Sequence, residues 1–339
     1  MKKEYKIFSQ KDVSSEEQKQ LEKEYVDKRY EVGKEFLGGE LEKTEEEIAF
    51  INTAWSLVQE EIKKTGLPAE DLPDQARIHF LSRISYREHF PDRYKENAGA
   101  FYYAEEKAIY LNKDAFCDKY GKLNKTNFYR GILEEMIHAL SYATYLTTIN
   151  SKTGESNLGP YRSGYMVFKR QEGKTEHFRG LNEAVVNRLV FELTQKNQKI
   201  LKESFEVSLQ ELQKIFNKFE YRTFLDVMDA IIKNISEANG ESRDVVWKRF
   251  KKGLFTGEMM HLRDVERAWK KEGDEGDVTQ EIKEVYGKDA LKMLALLGSE
   301  KEEPEPKVRG AILAFFTTKK KELREELTER ILYRKPTED

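Results

Sequence analysis

Apolar positions near the start of the chain follow the spacing of helices. A first periodic stretch, 15–36, ends at a pair of glycines, which often stop a helix. A second stretch opens with Thr44 and Glu47 at the spacing of a capping box. Its apolar side chains share one helical face: Ile48, Ile51, Trp55, Val58 and Ile62. Residues 1–70 are therefore expected to form a helical hairpin.

The pattern changes after residue 77, where short apolar runs replace the helical period. Two aromatic-rich runs, 100–103 and 108–111, flank a short polar segment, as the two strands of a β-hairpin do. Helical spacing then returns, is interrupted once and resumes. The pattern predicts a hairpin over 100–111, a helix over about 127–145, a second hairpin over 161–178 and a helix over about 180–195.

Everything after residue 195 has the spacing of helices, including a stretch over about 279–297. Two prolines within 302–306 indicate a linker, and a charged helix is expected beyond it. The fold class predicted is α+β and mostly helical, with a small β-sheet and a helical C-terminal half. Its expected parts are a helical hairpin (1–70), an α+β core (71–195), a helical subdomain (196–300), and a linker with a charged C-terminal helix (301–339).

Composition and charge narrow the function classes. The chain has 339 residues, and its 59 Lys and Arg nearly balance 62 Asp and Glu, for a net charge of -3. This balance gives no electrostatic reason to expect nucleic acid as a partner. Cys117 is the only cysteine, which excludes an intrachain disulfide and a cysteine-based zinc finger. No apolar run is long enough to cross a membrane, and we expect a cytoplasmic protein.

Candidate chemistry is concentrated in the predicted helix over 127–145. Glu134 and His138 are four residues apart, so both project from one helical face and together can bind one metal ion. Glu135 lies about 100° further round the helix, where a carboxylate can take a proton from water that a metal polarises. In so charged a chain the same pattern also arises by chance. Glu134 would then pair with His138 or Arg130 on a solvated helix face.

Residues 135–141, Glu-Met-Ile-His-Ala-Leu-Ser, resemble the active-site helix of zinc metallopeptidases that carry H-E-x-x-H. Residues 180–184, Gly-Leu-Asn-Glu-Ala, resemble the second helix of the gluzincin branch, which supplies a glutamate as third metal ligand. The resemblance covers about 75–195 and extends more loosely to about 300. It implies a zincin-like core with a sheet beside the active-site helix, His138 and Glu183 as metal ligands, and Glu135 as general base.

The chain departs from the gluzincin pattern at one ligand. Glu134 stands where the family has its first histidine, so the implied ligand set is Glu134, His138 and Glu183. Carboxylate oxygen binds zinc, but oxygen-rich ligation also favours harder ions, so the expected cofactor is Zn²⁺ or another divalent metal such as Mn²⁺. Asn187 occupies a position that is often acidic in the family. An amide there can donate a hydrogen bond to Glu134, whereas a carboxylate would repel it.

Asn182 matches the family residue that orients the second histidine, here His138. Two functions remain open on these residues. The chain is either a metallopeptidase-like hydrolase, in which Glu135 takes a proton from water, or a catalytically inactive zincin-fold protein that binds a peptide or protein partner. Glu135, His138, Asn182 and Glu183 favour the hydrolase, whereas Glu134 favours the inactive protein.

Overall fold

A computed structural model of the chain describes residues 5–7, 15–36, 38–66, 77–91, 94, 99–150, 156–169, 175–217, 219–258, 262–272, 289–297, 306–318 and 320–333. The chain divides into two compact units, one of 1–163 with 192–212 and one of 164–191 with 213–339. Each helix within the described ranges is too short or too polar to cross a bilayer.

Strands and helices are numbered in chain order. The strands are β1 (Tyr5–Ile7), β2 (Arg77–Leu81), β3 (Ala100–Tyr103), β4 (Ala108–Asn112), β5 (Ala143–Asn150), β6 (Ser156–Ser163), β7 (Met166–Lys169) and β8 (Thr175–His177). The helices are α1 (Ser15–Phe36), α2 (Glu45–Lys63), α3 (Arg83–His89), α4 (Lys125–Leu140), α5 (Arg179–Lys196), α6 (Gln198–Phe205), α7 (Leu209–Phe216), α8 (Phe219–Asn239), α9 (Arg243–Thr256), α10 (Leu262–Glu272), α11 (Pro306–Thr317) and α12 (Lys321–Thr328). A 3-10 turn, Lys113–Phe116, follows β4, and a π-helical turn, Glu329–Tyr333, follows α12.

A small mixed sheet in the first unit has the strand order β2-β4-β3. Strand β2 runs parallel to β4, whereas β3 and β4 form the antiparallel hairpin predicted over 100–111, with Tyr103 opposite Ala108. All five residues of β4 are buried, because this strand lies in the middle of the sheet. A mostly helical chain with a small sheet is thus confirmed.

Helix α4 is held by aromatic rings from α2 and β2. The ring of Phe50 on α2 stacks on Tyr129 with centroids 4.1 Å apart. Phe80 on β2 meets Phe128 edge-on at 5.3 Å. The helix is capped at its start by Asn124, whose side chain accepts a 2.8 Å hydrogen bond from the main chain of Asn127. These contacts fix α4 against both α2 and the small sheet.

The helix predicted over 127–145 ends earlier than expected. Helix α4 stops at Leu140, and β5 begins at Ala143 and pairs antiparallel with β6, with Ala143 opposite Ser163. Threonine, tyrosine and isoleucine dominate β5, and these residues favour an extended chain over a helix. Strand β1, which pairs with β5, was also missed.

Only part of the second predicted hairpin, 161–178, has the expected form. Strands β7 and β8 pair antiparallel with Val167 opposite His177, so the hairpin is shorter than predicted. The predicted turn at 172–174 lies outside the described residues.

The second unit is organised around α8, against which α9, α10 and α11 pack. The buried face of α8 carries Val227, Met228, Ile231, Ile232 and Ile235. Asn234 ties α8 to α11 by donating a 3.3 Å hydrogen bond to the main-chain oxygen of Phe316. The predicted linker is described only at Pro306, where α11 begins, and the helix predicted over 279–297 only from residue 289.

The start of α5 lies against the end of the helical stretch 289–296. The main-chain N–H of Gly180 donates a 2.6 Å hydrogen bond to the carbonyl oxygen of Leu297. A side chain on residue 180 would overlap that same carbonyl group. Glycine is therefore required here by a close approach of two main-chain segments.

Replacing Gly180 by alanine is expected to destabilise the protein by about 1–3 kcal/mol, because the new methyl group must push Leu297 or the first turn of α5 aside. Gly310→Ala is the matched control, since residue 310 lies in α11 with open space around it. That control should raise stability by about 0.5–1 kcal/mol through helix propensity. Denaturant unfolding measures both, and equal effects of the two substitutions would contradict the packing argument.

A buried carboxyl lies at the turn between β3 and β4. Glu106 is 9% exposed, and the hydroxyl of Tyr110 donates a hydrogen bond to it. Burial raises the pKa of Glu106 above its ordinary value of 4.5, although the hydrogen bond from Tyr110 to the charged form acts in the opposite direction. The folded protein therefore holds the Glu106 proton at pH values where the unfolded chain releases it.

Protonation of Glu106 stabilises the folded protein, and this contribution is fully present below the pKa that Glu106 has in the unfolded chain. It is lost as the pH rises through the higher pKa that Glu106 has in the folded protein. Glu106→Gln removes the titration and keeps an oxygen that accepts from Tyr110. The variant is expected to gain stability relative to wild type as pH rises from about 4.5 to 8. Urea unfolding across that range tests this, and a constant difference would show that Glu106 does not titrate as described.

Candidate metal centre

Helix α4 carries three of the predicted residues, Glu134, Glu135 and His138, within five consecutive positions. Glu134 and His138 lie one turn apart, and Glu134 is only 7% exposed. The neighbouring positions Leu133 and Ile137 are buried in the core, so packing sets the rotation of the helix. Glu135 follows Glu134 about 100° round the helix axis and is half-buried.

Helix α5 carries the other three predicted residues. Asn182 and Asn187 are each 1% exposed, and Glu183 is half-buried. Asn182 accepts a 2.9 Å hydrogen bond from the main-chain N–H of Tyr165. Its side-chain oxygen also lies where a Cβ on Gly164 would overlap it. Asn182 therefore fastens the turn between β6 and β7 to α5, a contact that the sequence did not indicate.

The hydroxyl of Tyr165, which is fully buried, donates a 2.9 Å hydrogen bond to the main-chain oxygen of Phe250 on α9. This second bond ties the same turn to another helix. The start of α5 is thus connected to its surroundings at Gly180, through Leu297, and at Asn182, through Tyr165. These bonds fix the main chain on both sides of Leu181, close to Glu183.

Glu134, His138 and Glu183 come together in space. Each offers one ligand atom, and these atoms all lie within 4.8 Å of one another. Bonds of about 2.0–2.1 Å to zinc put neighbouring ligands in a tetrahedral site roughly 3.4 Å apart, so modest side-chain rotations would close the group around an ion. Two carboxylates and a neutral imidazole also balance the charge of a divalent ion. The donor set therefore fits a divalent metal.

Glu134 forms an ion pair with Arg130, as expected if the motif had arisen by chance rather than for metal binding. The guanidinium of Arg130 donates from Nη1 to Oε2 of Glu134, one helical turn away. Both residues are buried, at 9% and 7% exposure, so the pair does not lie on a solvated face. The sequence indicates this ion pair through the i, i+4 spacing of Arg130 and Glu134, but the spacing alone does not show that the pair is buried.

Asn187 makes a different hydrogen bond from the one expected. Its side-chain Nδ2 donates a 2.9 Å hydrogen bond to the main-chain oxygen of Glu183, one turn back on α5, rather than to the Glu134 carboxylate. Its Oδ1 is buried and accepts no hydrogen bond among the described residues. Asn187 is thus bonded to the backbone of the helix that carries Glu183.

Asn187→Asp is expected to destabilise the metal-free protein by about 1–3 kcal/mol, because it replaces a donor by a buried carboxylate facing a carbonyl oxygen. Asn187→Leu, of similar size and without a charge, should change stability by less than about 1 kcal/mol. Thermal unfolding with a chelator present compares the two. If both variants behave alike, a carboxylate at residue 187 is not disfavoured by the carbonyl oxygen of Glu183.

No family model, curated protein or solved structure matches this chain. Support for a metal centre therefore comes from the motif residues and from their positions in the described part of the chain. On these grounds Glu134, His138 and Glu183 form a candidate metal centre, with Glu135 beside it.

Proposed function

We propose that the protein is a metal-dependent, peptidase-like hydrolase of gluzincin type with a zincin-like core. The observation that carries the proposal is the proximity of Glu134, His138 and Glu183, whose ligand atoms lie within 4.8 Å of one another. The resemblance at residues 135–141 and 180–184 supports the same conclusion independently of the geometry. Peptides or proteins are the proposed substrates.

In this proposal the three ligand residues hold Zn²⁺ or another divalent ion such as Mn²⁺. The ion supplies Lewis-acid chemistry, polarising water and the scissile carbonyl group. Glu135 acts as general base, because it lies next to a ligand on the same helix and is not a member of the ligand set. It takes a proton from the attacking water and delivers it to the leaving amine.

The second candidate function is that of a catalytically inactive zincin-fold protein that binds a peptide or protein partner. The buried Arg130–Glu134 pair favours it, because such a pair is a complete structural unit without a metal. Removing one member of a buried pair typically costs about 3–5 kcal/mol, which would be reason enough for a fold to keep both. Metal content and peptide hydrolysis, measured together, distinguish the two functions.

Protein purified without a chelator or a metal-affinity resin is expected to contain about one equivalent of a divalent metal per chain. His138→Ala should lose the metal, because it removes the only nitrogen ligand. His89→Ala is the matched control, since His89 lies on α3 outside the candidate group, and it should keep the metal. Mass spectrometry of the metal measures all three, and a metal-free wild type after reconstitution with zinc and manganese would contradict the proposal.

Glu135→Gln separates the chemical step from metal binding. This variant should keep the metal and lose at least about 100-fold in peptide hydrolysis, the usual contribution of a general base. Hydrolysis of a mixed peptide library, followed by mass spectrometry, is the readout. A metal-loaded wild type without hydrolytic activity would favour the partner-binding function.

A further inference from the structure

Arg130 is placed to control how Glu134 meets a metal. Its Nη1 donates to Oε2 of Glu134, and its Nε donates a 3.3 Å hydrogen bond to Oδ1 of Asn127. The main chain of Asn127 is in turn bonded to the helix cap, Asn124. The guanidinium is therefore held at two points along the first turns of α4, with both ion-pair members buried.

A carboxylate bound in this way has unequal oxygens. Oε2 of Glu134 is engaged by a charged donor, which leaves Oε1 as the oxygen for a metal. Rotation of the carboxylate to bring both oxygens onto one ion would break a buried, charge-assisted hydrogen bond. The pair thus disfavours two-oxygen coordination by Glu134.

Zinc and manganese differ in how much they gain when a carboxylate binds through two oxygens instead of one. Zinc in protein sites is mostly four-coordinate, and one oxygen from each carboxylate suffices. Manganese prefers six ligands, chiefly oxygen, so it gains more from a second carboxylate oxygen. The positive charge of Arg130 repels all divalent ions alike and therefore does not discriminate between these two.

We propose that Arg130 is a metal-specificity residue, which favours zinc over manganese by restricting Glu134 to coordination through one oxygen. This inference rests on the proposed metal site. It opposes the trend expected from the oxygen-rich ligand set alone, which favours harder ions.

The test is the ratio of the Kd for Mn²⁺ to the Kd for Zn²⁺, each measured by chelator competition on metal-free protein. Arg130→Gln removes the guanidinium group and its charge. It should lower this ratio by about tenfold, the lower end of the effects typical of residues that hydrogen-bond to metal ligands. Asn127→Ala keeps Arg130 and removes only one of its anchors, so it should lower the ratio by a smaller factor. Arg87→Gln, an exposed position on α3, is the control for net charge.

Circular dichroism establishes that each variant is folded, and Asn127→Ala provides the test if Arg130→Gln is not. A lowered ratio in the Arg130 or Asn127 variant, with Arg87→Gln unchanged, supports the specificity role. Equal weakening of both metals leaves the ratio unchanged, and it overturns this inference while leaving the proposed metal site intact. A wild type that binds neither metal overturns the proposed function and this inference together.

Discussion

Aromatic packing around α4 is the interaction on which the candidate site depends. Phe50 and Phe80 hold the helix from two directions through Tyr129 and Phe128. Rings of this size remove large apolar areas from water, and their contacts leave the helix little freedom to rotate. The direction in which the helix presents its polar face is therefore set by its core, before any ion is considered.

Much of this fold follows from local patterns, and the failures have a common cause. The hairpin at 100–111 and the start of α5 were predictable because turn residues and periodicity are local signals. Strand β5 was not, because its first residues continue the helical pattern of α4, and pairing with β6 adds to the extended preference of its threonine, tyrosine and isoleucine residues. The partner strand is the next one in the chain, with Ile149 opposite Ser156, but the pairing itself is not visible in the residues of β5.

The candidate site shows the same division. The i, i+4 spacing of Glu134 and His138 is visible in the sequence, and so is the spacing of Arg130 and Glu134. Whether such a pair is solvated or buried depends on elements that pack over it. The bond from Asn187 to the backbone of its own helix was equally inaccessible, since a side chain with both a donor and an acceptor suits several partners.

The glycine and asparagine of the segment 180–184 have architectural roles of their own. Gly180 is required by the carbonyl group of Leu297, and Asn182 holds the turn at Tyr165. Selection for the fold alone is sufficient to retain both residues in a protein that has no use for a metal. Within this segment, therefore, only the retention of Glu183 would indicate selection for metal binding. A homologue that keeps Gly180 and Asn182 but varies at Glu183 would have inherited the scaffold without the ligand.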